Sequence, residues 1–449
     1  MNSRAPADAA TNIGLRRLLR NVRDLPRTLT PAAWLAGLVA VLIAYTGPLV
    51  LVFQAAQGAG LDRAQLASWI AALAVGSGLA TLPLCLWYRQ PIVVAWSVAG
   101  SALLVGELAR YPLAEAVGAY LVAGIAVALL GWSGLFGRLL ALVPGPVVLG
   151  MLAGVLLRFG IGLFAALPQR PLIVAAMLAA FLLLQRLGFR APTVGALAVG
   201  LLIAALTREL HFDGIALELA RPQWTWPVFT VRALLGLALP LFVLAIASQD
   251  APGLAVLRSA GYDPPTDGPV LTTGIASLLT APLGGHGLNL AALMGAVCAG
   301  PEAGADPDRR YGAGVAAAFW FLLFGAGGAT AATLLAGFPP ALVAATAGLA
   351  MTPALVAALT GSLAEPDERT GAVFALLLTA ADIRLLGIGV PFWGLLLGAL
   401  ASRALRRSTR ETIPWSRSML SSRRMLRAVA PTRPATTSRR TGVSGAIVR

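Results

Sequence analysis

The sequence predicts an all-α polytopic membrane protein of about fourteen transmembrane segments in a 7+7 inverted repeat. Three observations carry that expectation. Of 449 residues, 58% are hydrophobic and 12% charged, with a mean hydropathy of +0.80, far from the composition of soluble domains. Apolar runs of roughly bilayer length recur between Pro31 and Leu405. The third run of each group is short and broken by Gly or Pro, the pattern expected where irregular backbone lines a cavity at mid-membrane.

Residues 1–30 form a basic segment with Arg16, Arg17, Arg20, Arg23 and Arg27. The chain has no Lys, so its net charge of +15 rests on Arg. Much of that charge lies at the two ends, which suits a cytoplasmic face and anionic membrane lipid rather than a nucleic-acid groove. No nucleic-acid partner is expected. The LRRLLRNVRDL pattern fits either a short amphipathic helix on the membrane surface or a disordered basic tail. No signal-peptide cleavage pattern follows it, so the segment reads as retained.

The first seven-segment repeat occupies 31–207, with segments starting near Pro31, Gln65, Pro91, Leu113, Pro144, Pro171 and Pro192. A polar outer loop over 208–227 carries His211, read as solvated. The second repeat occupies 228–405, with starts near Val228, Pro269, Gly284, Arg310, Pro340, Arg369 and Leu385. An Arg-rich tail, 406–449, is expected to be cytoplasmic and disordered. An odd number of crossings per group reverses the second against the first. With both termini inside, Arg89, Arg138, Arg186, Arg190, Arg258, Arg309, Arg310 and Arg369 face the cytoplasm, and Arg63, Arg110, Arg170, Arg208, Arg221 and Arg384 lie outside. A bacterial-type cytoplasmic (inner) membrane is the expected location.

The candidate site follows from the broken segments. In APLGGHGLNLAALMGAVCAGP, Pro282, Gly284 and Gly285 delay a helix, and His286 and Asn289, three apart, are expected on one face near its start. Free N–H groups and the positive end of the helix dipole make such a start a carboxylate site. Trp96 and Ser97, in PIVVAWSVAGSALLVG, are expected to converge on them. Tyr45 and Gln54, beside the YTGP interruption, and Gln249, in the eighth segment, add the walls. The blander readings are a buried His or Asn bonded to a neighbouring helix and an interfacial Trp96. An intramembrane ionisable residue is nevertheless a functional hypothesis by default.

Two residues compete for a coupled proton. His286 is one, because imidazole changes charge near neutral pH. Asp250, beside Pro252, is the other; a carboxylate at the centre of a helix in lipid costs ~2.5 to 3.5 kcal/mol and therefore takes a proton or a partner. At the helix end it would be only a hydrated cap. Arg158 sits too far along its helix to be plainly interfacial, so it pairs with a carboxylate or a carbonyl end, or else snorkels. Glu107 reads as an outer cap, and Asp382 with Arg384 as a local ion pair in a turn. Cys85 and Cys298 lie in apolar runs and read as packing residues.

The blocks YTGPLVLVFQAAQ, AWSVAGSALL, ASQDAPGLAVLRSAGY, GGHGLNLAALMGAVCAGPEA with DPDRRY, and LLGIGVPFWGLLLGAL, in that order, resemble the benzoate/proton symporter family (BenE). The likeness spans most of Pro31 to Leu400. It implies the fold of uracil and sulfate-type transporters, with a core carrying the broken segments and a gate domain, and it implies proton-coupled import of benzoate. The chain departs from the family pattern at Val98 and Ala99, where Thr-Pro is usual, and at Asp250, where an uncharged amide is usual.

The leading expectation is therefore secondary active import of a small aromatic carboxylate with a proton. The two broken helices hold the carboxylate, Trp96 and Tyr45 contact the ring, Gln54 and Gly285 belong to the site, and Gln249, Ser97 and Asn289 orient the substrate. His286 or Asp250 carries the proton. The alternatives are a transporter of another planar or anionic solute, such as a nucleobase or an inorganic anion, a passive channel, and a membrane-embedded enzyme using His286. The last has least support, because the chain has no HExxH, no His pair at metal spacing and no nucleophile elbow. No cofactor or metal is expected. Oligomeric state is open, a homodimer among the options.

Overall fold

The computed structural model describes residues 18–142, 144–189, 191–210, 218–381 and 390–405. His211, Asp382, Arg384, Leu385, the first seventeen residues and the tail from 406 lie outside the described residues.

The described chain is helical apart from one short ribbon. Helix α1 (18–28) is followed by α2 (Pro31–Thr46), α3 (Pro48–Gly58) and α4 (Arg63–Tyr88). The starts are chemically legible: Thr30 caps α2 by accepting from Ala33 N at 3.2 Å, and Asp62 with Gln65 forms a capping box on α4. Strand β1 (Val94–Trp96) leads into α5 (Val98–Glu107), then α6 (Leu113–Ser133), α7 (Phe136–Leu142), α8 (Gly145–Ala166), α9 (Pro171–Arg186) and α10 (Pro192–Leu206). After the loop come α11 (Val231–Ser259), α12 (Asp267–Thr280), β2 (Leu288–Leu290), α13 (Ala292–Ala299), α14 (Tyr311–Ala326) and α15 (Gly328–Ala336). Last are α16 (Pro340–Ser362), α17 (Arg369–Ala381) and α18 (Val390–Leu405).

Among the described residues six helical stretches are long and apolar enough to cross a bilayer, or seven if the pair bent by 67° before Gly328 counts as one. Shorter apolar helices are α9, α10, α17 and α18. Long-range packing joins α4 to α14, α6 to α12 and α8 to α16, while α9 leans on α16 and α17 on α8. Cys85 and Cys298 are free and buried.

The ribbon is the departure from an all-helical expectation. β1 and β2 pair antiparallel, with Val94 opposite Leu290, Ala95 opposite Asn289 and Trp96 opposite Leu288. A two-stranded ribbon in a membrane leaves two edges unsatisfied, and unpaired backbone is costly there. Side chains close those edges. Thr81 Oγ1 on α4 accepts from Val94 N at 2.9 Å and donates to Val94 O at 3.2 Å. On the other strand Ser277 Oγ of α12 accepts from Leu288 N at 2.8 Å, and Asp250 Oδ1 of α11 accepts from Leu290 N at 2.8 Å.

Two expectations change here. His286 and Asn289 do not share a helix face, because Gly284 (φ 96°) and Gly287 (φ 134°) turn the chain into β2 and the helix begins only at Ala292. Glu107 is buried and paired with Arg110 at 2.8 Å rather than being a surface cap.

Candidate functional site

The ribbon aims two helix starts at one space. α5 begins at Val98, capped by Ser97 Oγ, which accepts from Gly100 N at 2.9 Å; α13 begins at Ala292 with no side-chain cap. Val98, Ala99, Ala291 and Ala292 all lie on the wall of a cavity of about 730 Å³. That size is within the roughly 300–1,000 Å³ of small-molecule sites. The N-terminal amides of α5 and α13 therefore bring partial positive charge to an otherwise mainly apolar chamber.

Trp96 and Gln249 join this wall, together with Thr46 and Ser248. Behind Trp96, Tyr45 makes an edge contact at 5.8 Å and stands 5.3 Å from Phe324, so the indole is fixed by aromatic packing. The Tyr45 hydroxyl, Trp96 Nε1 and Asn289 Oδ1 are buried without a hydrogen-bond partner among the described residues. Gln249 and Asp250 close a π-helical turn of α11, Ala245–Asp250, a wide turn that is often found at functional sites. This turn points Gln249 to the cavity and leaves Asp250 fully buried against β2. Gly253 permits that approach, since a Cβ there would stand 2.6 Å from Leu290 Cβ.

His286 is 2% exposed and lies behind the ribbon instead of on the cavity wall. Its Nδ1 accepts from the Trp69 indole N–H at 3.2 Å, so the ring proton belongs on Nε2, which lies 3.1 Å from Ser97 O and 2.9 Å from Ser101 Oγ. A second proton on Nδ1 would face an indole N–H, donor against donor. The imidazole thus locks α4 and α5 to the turn before β2.

The other expected residues spread out. Ser97 is a buried helix cap, and Asn289 is buried in β2 beside Asp250. Gly285 packs on Thr280, where a Cβ would meet that side chain at 2.6 Å. Gln54 lines a separate, smaller cavity. Among the polar wall residues that sequence reasoning did not single out for the site are Thr46 and Ser248. Their only signal was position, next to the YTGP break and to Gln249. Thr46 Oγ1 donates to Leu42 O at 2.8 Å and Ser248 Oγ to Leu244 O at 2.6 Å, leaving each oxygen able to accept.

Two short helices that start from a buried ribbon beside a mainly apolar cavity, among long apolar helices, are the arrangement of a multi-pass membrane transporter. The chain belongs to the benzoate membrane transport (BenE) family, whose model, described as "Benzoate membrane transport protein", matches residues 27–404. That is a family of transporters and not of enzymes. The chain is 36% identical over 373 residues to the Inner membrane protein YdcO of Escherichia coli (strain K12), covering 83% of this chain and 95% of that one. It is 35% identical over 380 residues to the Benzoate membrane transport protein of Acinetobacter baylyi (strain ATCC 33305 / BD413 / ADP1), covering 85% and 96%. Among solved structures it is similar to the transmembrane domain of the cyanobacterium bicarbonate transporter BicA, with a TM-score of 0.53 at 20% identity, over 83% of this chain and 97% of that one. SLC26A9 gives a TM-score of 0.55 at 13% identity, over 83% and 65%. Identities this low speak to fold alone.

Proposed function

We propose that this protein imports benzoate, or a similar small aromatic carboxylate, across the cytoplasmic (inner) membrane by proton symport. The observation that carries the reading is the meeting of two helix starts, Val98–Ala99 and Ala291–Ala292, on the wall of one cavity that Trp96 also lines. Amide N–H groups at both starts attract the carboxylate, the indole face takes the ring, and Gln249 supplies a polar contact that fixes orientation. The name of the Acinetobacter baylyi relative points to the same substrate class.

Asp250 is the proton carrier in this scheme. Its Oδ1 is spent on Leu290 N, while Oδ2 has no hydrogen-bond partner among the described residues and is the atom on which a proton rides. It follows Gln249 directly, so loading the acid and loading the chamber act on one turn of helix. His286, with both nitrogens engaged, holds the ribbon.

The chain is further proposed to be a seven-plus-seven inverted repeat, 31–207 and 228–405, with both termini cytoplasmic. Exchange of the repeats turns the pairing of α4 with α14 into that of α12 with α6, and the pairing of α9 with α16 into that of α17 with α8, all of which occur. Thr81 of α4, bonded to β1, and Ser277 of α12, bonded to β2, play matching parts. Uptake of radiolabelled benzoate into proteoliposomes, with and without an inward proton gradient, tests the function. Accumulation is expected only with the gradient; equal accumulation in its absence would show a passive path.

A further inference from the structure

The stretch PEAGADPDRRY after α13 has no part in the site described above. It passes through two short turns, Pro301–Ala303 and Pro307–Arg309, the second closed by Asp306, whose Oδ1 accepts from Asp308 N at 3.0 Å. Asp306 and Asp308 stay exposed, while Arg310 at the end of the loop turns inward and is buried. A buried guanidinium needs acceptors. Arg310 finds two on the backbone: Nη1 donates to Ala299 O at 2.8 Å and Nε to Gly304 O at 2.7 Å.

Ala299 is the last residue of α13. The carbonyls at a helix end have no partner within the helix and carry the negative end of its dipole, so a cation bonded to them is well placed. The opposite end of α13 is its start at Ala292 on the chamber wall, about 12 Å away for eight residues at about 1.5 Å each. That start has no side-chain cap, unlike the start of α5, which Ser97 fixes. Leaving those amides available to an anion means that α13 is held by other bonds, those of the ribbon before it and of Arg310 behind it.

The same knot reaches α11. Tyr262, just past the end of α11 at Ser259, donates its hydroxyl proton to Pro307 O at 2.9 Å and is hydrogen-bonded to Arg310. Nearer the chamber the two elements meet again, where Asp250 Oδ1 accepts from Leu290 N and Gly253 lies against Leu290. α11 gives Ser248 and Gln249 to the chamber wall, and α13 gives Ala292 and Leu293. Two elements of one wall are thus joined at both ends.

We infer that Arg310 is a positioning residue for the substrate: through Ala299 O, Gly304 O and Tyr262 it holds α13 against the end of α11, so that the amides at Ala292 and the side chain of Gln249 keep one spacing for the carboxylate. Arg310 itself touches no substrate. The inference rests on the carboxylate-transport reading above.

The test is gradient-free benzoate exchange in proteoliposomes, with KM and turnover read separately, alongside hydrogen exchange over residues 292–299. Arg310→Gln is expected to raise the KM about tenfold with turnover unchanged, and to speed hydrogen exchange over α13. Arg310→Lys keeps the charge but not the planar fork that reaches two carbonyls, so its KM should fall between the two. Tyr262→Phe should raise the KM less, and Arg310→Gln combined with Tyr262→Phe should be no worse than Arg310→Gln alone, because the two residues share one knot. An Arg310 that served stability alone would lower the Tm and leave the KM of the folded protein unaltered; that result overturns the inference, as does a loss of turnover at an unaltered KM, and both leave benzoate transport standing. If Arg310→Gln does not reach the membrane, Tyr262→Phe decides: a raised KM supports the inference and an unaltered one overturns it. Wild-type protein without saturable benzoate exchange would overturn the transport reading and the inference with it.

Discussion

Asp250 Oδ1 accepts a hydrogen bond from Leu290 N at 2.8 Å, joining the wide turn of α11 to the outer edge of β2. The carboxylate proposed to carry a proton is thereby tied to the ribbon that frames the proposed substrate site. On the proposed scheme, a change in protonation at Asp250 would reach the α13 start through this one bond.

Asp250→Asn keeps an oxygen to accept from Leu290 N but cannot pick up and release a proton. The variant is expected to lose accumulation of benzoate against a gradient and to retain gradient-free exchange. Paired accumulation and counterflow assays in proteoliposomes check this. Full accumulation by Asp250→Asn would remove Asp250 from coupling.

His286→Gln should act on stability instead. The amide cannot meet Trp69 Nε1 and Ser97 O as the ring does, and leaving buried partners unmade costs ~1 to 3 kcal/mol. Thermal unfolding in detergent should show a lowered Tm, with the coupling ratio of the surviving protein unaltered. A coupling defect at normal Tm would return the proton role to this residue.

Trp96→Ala removes the ring that lines the cavity and leaves Tyr45 and Phe321 without their edge partner. Benzoate affinity should fall by ~1 to 3 kcal/mol, and Trp96→Phe should recover part of it. Titration calorimetry reads both values. Equal affinities for the wild type and Trp96→Ala would place the ring of the substrate elsewhere.

At the surface, Arg89 Nη1 contacts Asp24 Oδ2 at 2.9 Å and Asn21 Oδ1 at 3.1 Å, pinning α1 to the end of α4. The hydrogen bond from Arg89 holds the Asp24 carboxyl below its ordinary value of 3.8. A lowered folded value means that the contribution is complete above 3.8 and disappears as pH falls through the folded value. Hydrogen exchange over residues 18–28 should accelerate in that acid range and, at neutral pH, in Arg89→Ala. Unchanged protection in Arg89→Ala would mean that the bonds from the Tyr311 hydroxyl to Asn21 O at 2.9 Å and from Asn21 Nδ2 to Leu86 O at 2.8 Å suffice.

Local chemistry made the helices legible. Pro31, Pro171, Pro192 and Pro340 open helices where a missing N–H is harmless, and Leu113 and Arg369 start helices as the hydropathy pattern expects. The breaks at Pro91 and Gly284 were equally readable, since glycine and proline act on their own neighbours. Pairing was not. Trp69 and His286 are 217 residues apart, and nothing in either stretch announces that an indole N–H consumes Nδ1. For the same reason Gln54 and Gln249 look alike as intramembrane amides, yet the fold sends them to different cavities. The ribbon itself, three residues per strand, is too short for alternation to reveal.

The ribbon also imposes an order on biosynthesis. Ser97, whose N–H is taken by Gly287 O and whose carbonyl lies 3.1 Å from His286 Nε2, is made 189 residues before that histidine. Until the ribosome has delivered the second strand, Val94–Trp96 enters the bilayer with only Thr81 to occupy its backbone, and hydrocarbon offers no water to serve in the meantime. The first broken segment therefore completes its hydrogen bonds only when translation brings its complement. A nascent chain stopped before Leu288 would carry all the long helices of the first half and still have an open seam along Val94–Trp96.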